Sequence, residues 1–224
     1  MSKNPESAAC YQTMAILVGL AELAVLLSIF LLPETLAEQR MVSTNLFALL
    51  YYRVCATILV VLQALVVVLY LTRYRLVARV WTAVACLLAS FALVGWTITV
   101  SCDPDKDVAI HSIGAGIFVT ATAAYFAILL SLAYEFDPVK NRRYDLMAYT
   151  VAFAAGVFTI VYVILYFSSA EWAWLFENIA FILMATGYVV FFWFHPFDPR
   201  DPVPSRQPPV QCRPLLMPDV DAFY

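Results

Sequence analysis

The chain has 224 residues, 63% of them hydrophobic and 13% charged, against about half apolar and a quarter charged in soluble domains. A mean hydropathy of +0.82 excludes an ordinary soluble domain, and long apolar runs without strict alternation exclude a membrane barrel. The net charge of −3 says little, because in a membrane chain the location of charge matters more than its sum, and no nucleic-acid partner is expected.

The first thirteen residues, MSKNPESAACYQT, are polar and contain Glu6. No basic segment and cleavage site precede the first apolar run, so it is expected to be a retained span. Six apolar runs follow, over 14–32, 46–71, 80–100, 108–134, 146–167 and 172–194, each about 20 residues or more and so long enough to cross a bilayer. Pro33-Glu34, Arg73-Tyr74-Arg75, Asp103-Pro104-Asp105, Asp137-Pro138 and the tight turn 168–171 separate them. The expected fold is all-α: a polytopic six-transmembrane-helix bundle.

Basic residues fix the expected orientation. Arg73, Arg75 and Arg79 follow the second span, and Lys140, Arg142 and Arg143 follow the fourth. The other loops hold only Arg40 and Lys106. Both termini are therefore expected in the cytoplasm, with 1–13 as a cytoplasmic segment and 14–194 as the membrane domain. Residues 195–224 are rich in proline and are expected to form a disordered cytoplasmic tail, which is a possible docking peptide for a cytoplasmic protein partner. The basic loops set topology and offer contacts to anionic lipids.

A charge within the bilayer costs several kcal/mol unless paired or hydrated, so each is a functional hypothesis. Glu22 lies about 15 Å deep at the helical rise, Arg53 about 10 Å and Glu177 about 9 Å. The matching depth predicts an Arg53–Glu177 pair, with Asn178 and Gln63 as polar neighbours. Such a pair either fixes the helix arrangement or contributes to a lipid-headgroup or ligand site near the outer leaflet. His111, at the start of the fourth span, is placed with Asn178 in an outer-face polar site. It could sense acid or hold a phosphate or carboxylate, although a lone interfacial histidine more often serves as a polar anchor.

Gly114, Gly116, Thr120 and Ala124 on the fourth span, with Ala152 and Gly156 on the fifth, give the small-residue spacing that lets helices approach closely. Internal packing is the expected use, with a homodimer contact as the alternative. Trp81, Trp96, Trp172, Trp174 and Trp193 fall near span ends, as in an aromatic belt. There is no His-Glu-x-x-His, Gly-x-Ser-x-Gly, P-loop or Cys-x-x-Cys motif, so no catalytic residue, metal site or cofactor is expected.

The sequence His111-Ser112-Ile113-Gly114-Ala115 opening the fourth span, and Ser169-Ala170-Glu171-Trp172 opening the sixth, resemble the DRAM-type family. That family comprises the damage-regulated autophagy modulators, the yeast suppressor-of-four-kinase proteins and the GPI-lipid remodelling relatives. The resemblance implies a non-enzymatic membrane scaffold or adaptor. It would organise membrane lipids or recruit a lipid-modifying partner, phosphoinositide-linked or autophagy-related, at the plasma membrane or in lysosomes and endosomes. The alternative is a small-solute or proton-coupled transporter that uses Glu22 and Glu177 as titrating groups. A water-filled cavity joining the two carboxylates would favour transport.

Overall fold

The computed structural model describes residues 5–39, 41–104, 106–136, 142–168 and 171–200. Six helices are long and apolar enough to cross a membrane. They are α1 (Pro5–Phe30), α4 (Leu50–Leu71), α5 (Arg79–Ser101), α6 (Val108–Phe136), α7 (Arg142–Phe167) and α8 (Ala173–Phe194). At about 1.5 Å per residue each reaches or exceeds the ~30 Å hydrocarbon core. No strand occurs among the described residues. The six-helix bundle expected from hydropathy is present.

The helices form a closed ring in the order α1, α4, α5, α6, α7, α8 and back to α1. Two short helices, α2 (Pro33–Glu38) and α3 (Val42–Ala48), cover one end. Sequence reading expected a loop here and ran the second span without a break from residue 46. Pro33 opens α2, where its missing N–H costs nothing. Gln39 ends α2 in the left-handed region at φ 55°. Thr35 donates to the Ile29 carbonyl at 2.6 Å, and the Asn45 amide donates to the Thr35 hydroxyl at 2.6 Å. Val42 and Leu46 are buried beneath them. Here α3 touches α1, α4, α5 and α8 and caps the ring.

The opposite end carries the first and last described segments, joined at Ser7 and Arg200, and an aromatic cluster. Tyr70 meets Phe191, Phe192 and Phe197 edge-on at 5.2, 5.5 and 5.1 Å. Phe197 also meets Tyr11 at 5.8 Å, and His195 stacks on Phe191 at 4.5 Å. Residues 195–200 are thus part of the folded body, which corrects the expectation of a disordered tail from residue 195. Arg200 grips Asp198 through Nε and a terminal nitrogen at 3.0 and 2.8 Å and also donates to the Ser7 hydroxyl. These bonds hold the Asp198 carboxyl well below the usual carboxylate range. Residues 201–224, the remainder of the expected tail, lie outside the described residues, as does Lys140. So do the side chains of Arg142 and Arg143.

Arg75 and Arg79 are exposed at this end. Arg73 instead lays its guanidinium over the rings of Tyr70 and Tyr74 at 5.1 and 5.8 Å. Trp81, Trp172 and Trp193 are exposed at helix ends as a belt requires. Trp96 is not a belt residue: it is buried and donates its indole N–H to Thr57 at 3.1 Å.

Candidate functional site

The ring is not equally tight all the way round. Where α5 meets α6, Gly95 and Gly114 let the backbones touch. A Cβ at Gly95 would clash with the Phe118 backbone nitrogen and come within 2.8 Å of the Gly114 carbonyl, and one at Gly114 would sit 2.7 Å from Ile98. On the adjoining seam, between α6 and α7, a Cβ at Gly116 or Gly156 would meet nothing within 4 Å. Among the described side chains of α7, only Ala148 and Ala155 are buried. The expectation of close helix packing is therefore corrected at Gly116, Thr120 and Gly156, whereas Ala152 packs against the core. Gly114 does serve that purpose, against α5. Gly116 and Thr120 are exposed, and Ala124, Ala152 and Gly156 are half-buried.

The space left by this loose seam is a series of cavities. The main one has a volume of about 470 Å³ and is walled by α6, α7 and α8, with Glu22 of α1 and Gln63 of α4 at its back. Exposed residues of both helices, among them Ala123, Ala127, Phe153 and Ile160, line its mouth. A second cavity of about 170 Å³ lies towards the α3 cap and is lined by Glu177, Ser43 and Tyr162. The two share Phe118, Thr120, Thr159 and Phe181. The Phe118 and Phe181 rings stack at 6.1 Å where the cavities adjoin. A more open and larger depression of about 890 Å³ at the end of the seam, bounded by Ser112, Tyr166 and Phe167, continues the second cavity outwards. The seam thus holds a groove from one end of the bundle to its middle.

Glu22 and Gln63 share the main cavity, whereas Gln63 was expected beside Arg53 and Glu177. Arg53 and Glu177 do not pair. The Arg53 guanidinium donates to the Val100 carbonyl at 3.4 Å and lies over the Phe47 ring at 5.6 Å. The Glu177 carboxylate accepts hydrogen bonds from the Ser43 hydroxyl and from the backbone N–H groups of Ser43 and Val42. Equal depth on two helices does not make them neighbours, and the first turn of α3 supplies donors to the acid, although Glu177 Oε2 keeps no hydrogen-bond partner. Asn178 is fully buried and donates to the Trp174 carbonyl at 2.6 Å. His111, in the first turn of α6, is also buried within the protein. Its backbone N–H bonds the Asp107 carbonyl at 2.9 Å, and its Nδ1 has no hydrogen-bond partner.

Sequence reading passed over Tyr125 and Tyr188, which complete the back of the main cavity. Both are buried, and both lie in electrostatic reach of Glu22. Their signal was a phenol in the middle of an apolar span, where an O–H must find a partner. No group of three or more metal-ligating side chains occurs among the described residues. Glu22 and Glu177 are the charged residues lining the two cavities, and no Lys or Arg lines either.

Comparison with known proteins gives no match to a family model, a curated protein or a solved structure.

Proposed function

We propose that this chain is a non-enzymatic integral membrane protein that admits a membrane lipid sideways between α6 and α7. The observation that carries the reading is the unfilled seam itself. Gly156 faces open space beside a cavity of about 470 Å³, a volume within the ~300–1,000 Å³ of small-molecule sites, and Gly116 faces open space beside the adjoining cavity of about 170 Å³. Its walls are mostly apolar, as an acyl chain or ring system requires. An unfilled apolar groove in contact with the bilayer takes up lipid in preference to water.

This supports the lipid-organising role that resemblance to the DRAM-type family implies. On that reading the protein acts at the plasma membrane or in lysosomes and endosomes. Residues 201–224 would recruit a cytoplasmic partner, and the exposed Arg75 and Arg79 would contact anionic lipid. A second reading, proton-coupled or small-solute transport, draws on the adjoining cavities of Glu22 and Glu177. The stacked Phe118 and Phe181 rings and the apolar walls favour lipid over a hydrated path.

The test uses full-length protein in nanodiscs with a photoreactive fatty-acyl phosphatidylcholine, followed by peptide mapping. The lipid reading predicts labelling concentrated on α6 and α7 around residues 116–127 and 152–160. Labelling spread evenly round all six helices would contradict it. Removing 201–224 should leave this labelling unchanged and abolish capture of a cytoplasmic partner.

A further inference from the structure

We propose that the cavity at the middle of the α6–α7 seam is a binding site for an uncharged lipid alcohol of the fused-ring, sterol-like class, its hydroxyl held between Glu22 and Tyr188. The proposal rests on the lateral-groove reading and adds the chemistry of the occupant.

The polar end of the site is small and unfinished. Glu22 Oε2 and the Tyr188 hydroxyl are buried without a hydrogen-bond partner, and both residues line the cavity. Tyr188 is 1% exposed. Its ring lies directly on α1 at Gly19, where an added Cβ would sit 2.7 Å from Tyr188 Cδ1. Gly19 and Glu22 are three residues apart and share one face of α1. The phenol and the carboxyl are thus held at one end of the cavity by a contact that only glycine permits.

The missing partner can be deduced from these two groups. A carboxylate accepts and a phenol donates, so the complementary group offers one donor and one acceptor from the same atom, which is a hydroxyl. An anionic headgroup would face Glu22 with no Lys or Arg in the lining to offset it. An ammonium carries donors only and leaves the Tyr188 hydrogen without an acceptor. The walls select the body. Aromatic rings of Phe118, Phe126 and Phe181 on α6 and α8 line the cavity, together with the small Ala152, Ala155 and Gly156 and the rings of Tyr149 and Phe153 on α7. A flat ring system fits between such walls better than two flexible chains.

The experiment uses full-length protein in phosphatidylcholine nanodiscs and three photoreactive probes: a sterol alcohol, its methyl ether, and a diacylglycerol. The alcohol should bind about tenfold more tightly than the ether, the worth of one buried hydrogen bond. Tyr188→Phe should weaken the alcohol by a similar factor while unfolding no more easily than wild type, because it removes an unpartnered hydroxyl. Glu22→Met should bring alcohol and ether to equal affinity. Equal affinities in wild type, with labelling still on α6 and α7, would overturn the alcohol site and leave the lipid groove standing. Tighter binding of the diacylglycerol would overturn the fused-ring body. No labelling of the seam by any probe would overturn the groove reading itself.

Discussion

Helix α6 presents small residues to two neighbours and is treated differently by each. Towards α5, Gly114 and Gly95 bring backbones into contact, and even a methyl group has no room. Towards α7, Gly116 and Gly156 leave a gap wide enough for another molecule. The same residue type that closes one seam holds the other open. Small residues allow close approach but do not compel it. At the α5 seam Gly95 faces the Gly114 carbonyl and the Phe118 backbone, and Gly114 faces Ile98 and the Thr99 backbone, so the two helices interlock there.

The comparison breaks most visibly under methyl insertion. Gly95→Ala should destabilise the bundle by about 3 kcal/mol, the upper range for overpacking, because the new atom meets the α6 backbone. Gly156→Ala should stabilise it by about 0.5–1 kcal/mol, since open space leaves only the helix-propensity gain. Unfolding in mixed micelles reads both, and loss of stability in both variants would erase the distinction between the seams.

A second, smaller effect concerns the capped end above the groove. Glu177→Ala strands the Ser43 and Val42 donors and should cost about 2 kcal/mol. Arg53→Ala should cost under ~1 kcal/mol, and the double variant should be additive within ~0.5 kcal/mol. A coupling of 2 kcal/mol or more, by the scale of paired buried charges, would restore the ion pair that the structure lacks.

The smallest effect lies at the terminal latch. Asp198→Ala should cost about 1 kcal/mol, in the range of one hydrogen-bonded group. The Asp198 carboxyl is held below its ordinary range chiefly by Arg200. Its contribution is therefore complete above an ordinary aspartate value of about 4 and is lost as the pH falls further. Wild type should show no latch-related change between pH 7 and pH 5. A difference between wild type and Asp198→Ala that vanishes already at pH 5 would contradict the Arg200 grip.

The helical frame was legible because each span is a long apolar run bounded by charge, and hydropathy reads that directly. What lay between spans was not. Helices α2 and α3 are too short to show a periodic face, and no Gly or Pro marks the break at Leu49. Residues 195–200 were read by their proline content, while Phe197, which anchors them, is a single aromatic in a polar segment. The Arg53–Glu177 error has a general cause: sequence gives depth along a helix but not which helix stands beside it. Glu22 was legible as an intramembrane acid, whereas its neighbours Gln63, Tyr125 and Tyr188 come from three other helices and meet it only in the folded ring.

The most direct test of an open, lipid-filled seam is native mass spectrometry of the full-length protein released from nanodiscs, comparing wild type with Gly156→Phe. The new ring has space to enter the cavity, so the variant should fold as wild type does and lose its bound lipid. Equal lipid occupancy in the two proteins would contradict the groove between α6 and α7.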